Sequence, residues 1–265
     1  MNSYNDKEEK IIEMIEGLIR NGVDAELIIS RFESKIFDLK KPELYFWFAK
    51  NVKGIDVKAH EQAVIDKRDP EWNYKFAKNV KGSDINAHGQ VIINSGSLEW
   101  NYKFAKDIKG VDVEAHERVI IRNGDPCYNY MFARYIEGAD VRAHGQAIIN
   151  SGDLELNFNF AKNVRGSDVK AHGQVIKDSG DPEWNYKFAK YIDGIDTKSN
   201  GHGEAVINSC DLEWNYKFAR DIIGSDVRAH SNVVINNGDP EWNYKFARYI
   251  EGADVRAHGQ AIINS

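Results

Sequence analysis

Residues 239–265 read DPEWNYKFARYIEGADVRAHGQAIINS, and the part from Phe246 to Ser265 repeats Phe132 to Ser151 letter for letter. The same phrase, more loosely spelled, fills the chain from residue 41 onward. Its Phe-Ala pair recurs at Phe48, Phe76, Phe104, Phe132, Phe160, Phe188, Phe218 and Phe246, every interval being 28 residues except the 30 between Phe188 and Phe218. A fixed period of this size marks a tandem-repeat architecture. With position 1 set at Asp239, the copies start near residues 41, 69, 97, 125, 153, 181, 211 and 239.

Each copy carries the start and stop signals of two short helices. Asp239 is an N-cap with Pro240 at the first helical position, and Gly252 closes helix A. Asp254 caps helix B, which is expected over Val255 to Asn264. The apolar spacing is helical in both: Trp242, Phe246 and Ile250 in helix A, Val255, His258 and Ile262 in helix B. The Gly of position 14 and the Asp of position 16 stand in all eight copies, which fixes the turn between the helices.

A hairpin this short cannot bury both apolar faces alone, so neighbours must stack. The expected fold is all-α: a two-layer α-solenoid, of the right-handed type, built from eight 28-residue hairpins over residues 41–265. Residues 1–40 break the period and read as an N-terminal helical cap, with helices over about Lys7 to Asn21 and Asp24 to Leu39. The chain ends inside the last copy, which predicts an apolar C-terminal face blunted locally or covered by a partner or a second copy. Copy six carries two extra residues between Asp196 and His202, an insertion expected to lengthen the turn or unwind the start of helix B.

Composition sets further bounds. No apolar run approaches the ~20 residues of a membrane-spanning helix, and the charged start MNSYNDKEEK is unlike a signal peptide, so no membrane association and a cytoplasmic location are expected. Cys127 and Cys210 fall at different repeat positions and form no disulfide or zinc pattern. The net charge of −6 gives no global attraction to nucleic acid.

All eight histidines occupy position 20: His60, His88, His116, His144, His172, His202, His230 and His258. Stacked helices lie ~8–10 Å apart, too far for one histidine per layer to share a zinc, so no metal is expected and the row reads as buried core. Asn at position 5 of seven copies lies on the apolar face of helix A and is the expected hydrogen-bond partner, whether of the histidine or of the Gly-x-Asp turn of an adjacent copy. Buried neutral histidines would make the array lose stability below about pH 6. Trp at position 4 gives way to Leu in some copies, which marks apolar packing.

The aromatic of position 6 falls on the polar side of helix A, with a base one turn later. This stripe supplies the candidate binding residues: Tyr74 and Lys78, Tyr102 and Lys106, Tyr130 and Arg134, Tyr186 and Lys190, Tyr216 and Arg220, Tyr244 and Arg248. Repeated aromatic and basic side chains could track a phosphate backbone or grip an acidic protein. The competing reading is a salt-bridged outer face with the tyrosines packed between copies, because Glu at position 3 can pair with the Lys of position 7. On helix B the exposed rows are positions 18, 22 and 26, the last two mostly Gln and Asn.

No phosphate loop, nucleophile elbow or zinc-protease motif is present, and residues that recur every 28 positions do not make a unique asymmetric cluster. No catalytic residue and no cofactor are therefore expected. The string FAKxIxGxDVxAHGQAII after GDPEWNY resembles short hairpin repeats in proteins of bacteria and their phages, and the array resembles the HEAT-like and tetratricopeptide-like helical class, with shorter units. The resemblance covers residues 41–265 and implies an α-solenoid in a bacterial or phage setting. It carries over no functional residue, and the tetratricopeptide spacing of Trp, Leu-Gly and Tyr is absent. The expected function is non-enzymatic binding of a protein, as scaffold or inhibitor. The alternative is a nucleic-acid binder, or a phage or mobile-element factor acting on a nuclease or defence complex.

Overall fold

The structure is a computed structural model that describes residues 6–192 and 201–265. Among these residues there are eighteen helices and no strand. The cap consists of Asp6–Arg20 and Ala25–Leu39, followed by eight A–B pairs. The A helices are Pro42–Asn51, Pro70–Asn79, Leu98–Asp107, Pro126–Tyr135, Leu154–Asn163, Pro182–Tyr191, Leu212–Asp221 and Pro240–Tyr249. The B helices are Val57–Asp66, Ile85–Ser95, Val113–Asn123, Val141–Ser151, Val169–Asp178, His202–Asn208, Val227–Asn237 and Val255–Asn264. No helix among the described residues is long and apolar enough to cross a membrane.

Local chemistry sets these boundaries. The Asp239 carboxylate accepts from the Trp242 amide at 3.0 Å, and Asp254 accepts from Ala257 at 3.0 Å, each satisfying one of the open donors at a helix start. Between the helices Gly252 adopts φ +83°, a left-handed conformation that favours glycine. The two extra residues of the sixth copy lie in 193–200, outside the described residues. Beyond them Gly201 has φ +78°, and helix B of that copy begins at His202, about one turn later than in the others.

The chain forms two compact units, one of residues up to 123 together with 135–139, the other of 124–134 together with 140–265. Within each unit consecutive hairpins stack A on A and B on B, an α-solenoid arrangement. In the first unit the cap shares a core with the first hairpins, where Ile15, Phe32 and Ile36 pack with Leu44 and Phe48. In the second, Ala133 and Ile148 of hairpin four meet Phe160 and Val164 of hairpin five, and Ala219 and Val234 of hairpin seven meet Phe246 and Ile250 of hairpin eight. Each cluster thus straddles two hairpins. The eight position-8 phenylalanines are 0–1% exposed, a burial that stabilises by about 2–3 kcal/mol each.

Close stacking also bears on the glycines found at position 21 of helix B in five copies. A Cβ on Gly173 would lie 2.8 Å from the Phe188 ring and 3.4 Å from His202 Nε2, whereas one on Gly259, in the last hairpin, would meet nothing within 4 Å. The same substitution therefore has opposite signs at two equivalent positions. Gly173→Ala is expected to destabilise by about 1–3 kcal/mol through overpacking. Gly259→Ala should stabilise by about 0.5–1 kcal/mol through helix propensity alone. Urea denaturation of the two variants checks the pair, and a shift of the same sign in both would contradict this packing.

Candidate functional site

The residues that most resemble chemistry, the Asn and His rows, form one repeated hydrogen-bond unit. In hairpin five the Asn157 amide nitrogen donates to the Asp153 carbonyl at 2.8 Å and to the Ile148 carbonyl of the preceding hairpin at 3.2 Å. Its oxygen is thereby left as an acceptor, and His172 Nδ1 donates to it at 2.7 Å. The Asn–His bond recurs in the seven copies that carry Asn, at 2.6–2.7 Å. Of the two partners expected for this Asn, the histidine is the one found, and it belongs to the same hairpin. Each histidine also lies against the Phe of its own hairpin, with Phe160 and His172 ring centroids 4.7 Å apart.

The first hairpin shows what the Asn contributes. Tyr45 stands in its place, and His60 Nδ1 is buried without a partner, while its Nε2 approaches Glu33 Oε1 at 3.1 Å. For His88, His116, His172, His202, His230 and His258, Nε2 faces position 21 of the preceding hairpin. Where that residue is Ser231, its hydroxyl lies 2.8 Å from His258 Nε2. Where it is Gly145 or Gly203, the nitrogens of His172 and His230 are buried and unpartnered. Glu61 Oε1 comes within 3.2 Å of His88 Nε2 but outside hydrogen-bond geometry, and burial raises the Glu61 carboxyl above its usual value. Burial pushes His88, His116, His144, His172, His202 and His230 down to about 4, so they are neutral near pH 7. Among the described residues no group of three or more His, Cys, Asp or Glu is arranged to hold a metal.

The position-6 aromatics are less exposed than a single helical wheel suggests. Tyr102 and Tyr186 are 6% and 7% exposed, and only Tyr244, in the eighth hairpin, reaches 56%. The wheel assigns them to a polar side because it knows only its own helix. Where the next hairpin carries Trp at position 4, that Trp lies against the ring: Tyr74 meets Trp100 at 5.4 Å, Tyr186 meets Trp214 at 5.3 Å and Tyr216 meets Trp242 at 5.7 Å.

The bases beside them are largely engaged. Lys78 Nζ lies 2.6 Å from Asp107, which also accepts from the Tyr74 hydroxyl. Lys190 lies 2.8 Å and Arg220 2.6 Å from Asp221, which accepts from the Tyr186 hydroxyl. These contacts hold the Asp107 and Asp221 carboxyls below the usual range, the Lys78 bond acting foremost on the first and the Arg220 bond on the second. Lys106 sits over the Tyr102 and Tyr135 rings, and Arg134 hydrogen-bonds the Tyr130 hydroxyl. The position-7 lysines pair with position-3 glutamates, as Lys187 does with Glu183 at 2.6 Å, while capping the Trp184 ring at 4.1 Å. Arg248 is exposed on the last hairpin.

Sequence reasoning missed the carboxylates that organise this stripe. Asp occurs at position 11 only at Asp107 and Asp221, with Tyr at Tyr135, Tyr191 and Tyr249. The contact reaches from one hairpin to the next, so no period within one copy could announce it.

Helix B has a different surface. Its outward amides pair along the helix: Gln90 donates to Asn94 at 2.9 Å, Gln146 to Asn150 at 2.9 Å and Gln260 to Asn264 at 3.0 Å. Arg142, Lys170, Arg228 and Arg256 of position 18 are exposed. Neighbouring B helices leave grooves between them, one of about 900 Å³ between Ile85–Ser95 and Val113–Asn123.

Two consequences of the Asn–His unit are measurable. Asn157→Ala strands the buried His172 N–H and should cost about 2–4 kcal/mol. Asn150→Ala, at an exposed amide, should change stability by under about 0.5 kcal/mol. Urea melts distinguish them, and equal effects would contradict the buried network. The second consequence concerns pH. The unfolded histidines take up protons near pH ~6.5 and the folded ones near 4, so in that window the unfolded state binds more protons. Stability is complete above about pH 6.5 and falls by ~2 kcal/mol per histidine at pH 5. Melting temperatures that stay constant from pH 7.5 to 5 would contradict it.

No known protein family, curated protein or solved structure matches the chain.

Proposed function

We propose that the chain is a non-enzymatic repeat protein that binds another protein, as a scaffold or an inhibitor. One observation carries this reading: the side chains common to the hairpins are used in holding them together, while those that differ face outward on helix B. Position 18 runs Lys58, Asn86, Glu114, Arg142, Lys170, then Arg228 and Arg256 among the described residues, all exposed. A scaffold of constant core and variable surface is what a recognition array requires. The engagement of Lys78, Lys190 and Arg220 by carboxylates favours a protein over a polyanion as the partner. The resemblance to hairpin repeats of bacteria and phages supports such a setting for the interaction.

A specific observation favours the second reading, a nucleic-acid binder: Arg142, Lys170, Arg228 and Arg256 form an exposed basic row in the second unit. The two readings separate experimentally. The full chain, immobilised, is exposed to nuclease-treated lysate of its source cells. In parallel, single-stranded DNA and RNA are titrated at about 50 and 200 mM salt. The expected result is a protein retained in fixed stoichiometry and released by R142E/K170E/R228E, with no saturable nucleic-acid binding. Binding of DNA or RNA whose affinity falls steeply with salt, and no retained protein, would replace the first reading by the second.

A further inference from the structure

The third hairpin departs from its neighbours on the outward face of helix B. Where hairpin two has Gln90 and Asn94 and hairpin four has Gln146 and Asn150, hairpin three has Arg118 and Arg122. Both arginines line the groove of about 900 Å³. Its lining also includes Ile93, Ala115 and Val119, half-buried, with Gln90 and Asn94 on the opposite side and no carboxylate. Everything that forms it belongs to the first unit.

From this we infer that the groove between helix B of hairpins two and three binds an extended acidic peptide segment of a partner protein, with a carboxylate held by Arg122 and Arg118 and an aliphatic side chain on Val119 and Ile93. The inference rests on the protein-binding reading and gives the chemistry of the partner. The two helices have eleven residues each, a length of ~16 Å. Such a groove accommodates about five residues of extended chain. A planar guanidinium forms paired hydrogen bonds with a carboxylate, and an arginine beside an apolar patch suits an acidic residue flanked by Leu, Ile or Val. The Gln90–Asn94 pair uses one amide hydrogen and one oxygen, leaving donors and acceptors of both amides for the peptide backbone.

Arg122 has no ion-pair partner among the described residues. Arg118 is held by Glu114 at 2.6 Å, but both are mostly exposed, and such a pair exchanges readily for a ligand carboxylate. Glu114 therefore competes with the ligand for Arg118.

The test uses the full chain and a phage-displayed library of random dodecamers. The variant R118Q/R122N restores the residues of hairpins two and four and is expected to fold, which circular dichroism and a urea melt check. Enriched peptides should carry Asp or Glu beside Leu, Ile or Val, and should bind R118Q/R122N at least about tenfold more weakly. They should bind E114Q more tightly than the unaltered chain. No enrichment, enriched peptides without acidic residues, or equal binding to R118Q/R122N would overturn the inference. So would saturable binding of a thymidine dodecamer that this variant abolishes, since the groove would then serve a phosphate backbone. Capture of the same partner protein from lysate by both the unaltered chain and R118Q/R122N would overturn the groove while leaving the protein-binding reading intact. Loss of that reading shows instead as nucleic-acid binding with no captured protein.

Discussion

A buried asparagine amide connects two backbone carbonyls and one imidazole, and most of the architecture depends on it. Asn157 ties the start of its own helix, at the Asp153 carbonyl, to helix B of the preceding hairpin, at Ile148, and fixes the histidine that packs under Phe160. An unpaired polar group in that position would cost more than its bonds contribute, so the arrangement is strongly preferred over any looser register. In each copy that carries it, it sets the relation of helix A to helix B, and within each unit the amides of Asn73, Asn101, Asn157, Asn185, Asn215 and Asn243 also tie one hairpin to the preceding one. Apolar burial supplies the driving force, and the amide supplies the specificity.

The same geometry determines which residues are available for recognition. Trp, Phe, Asn and His are consumed by stacking, and Tyr74, Tyr186 and Tyr216 of position 6 are covered by the Trp of the following copy. What remains outward is helix B and the bases of position 10, many of the latter already held by carboxylates or rings. A surface of this kind reads a partner through differences between copies, because identical copies offer only a periodic pattern. Hairpin three, with Glu114, Arg118 and Arg122 in helix B, is where the difference from its neighbours is concentrated.

The eight hairpins and their helix limits are legible from residues whose signals are local. Asp239 with Pro240, Gly252 and Asp254 mark the boundaries within a few positions, and the structure places Val255–Asn264 as the sequence suggests. The burial of His172 and Asn157 is legible from the helical wheel, and so is their pairing, up to the choice of partner. The position of Tyr186 is not, because its cover is Trp214 and its hydroxyl partner is Asp221, both on the next hairpin. The groove beside Arg122 is likewise a property of two helices whose separation no single copy encodes. Intra-hairpin contacts project onto sequence periodicity, whereas contacts between hairpins do so only when every copy makes them.

The Asn side chain dictates which imidazole nitrogen carries the proton. Long-range nitrogen–proton correlation spectra of the uniformly ¹⁵N-labelled chain at neutral pH report the tautomer of each histidine directly. The expected form is neutral Nδ1–H for His88, His116, His144, His172, His202, His230 and His258. A proton on Nε2 is expected for His60, whose Nδ1 has no partner and whose Nε2 faces Glu33. Charged imidazolium signals or Nε2–H tautomers across the seven Asn-paired residues would contradict it.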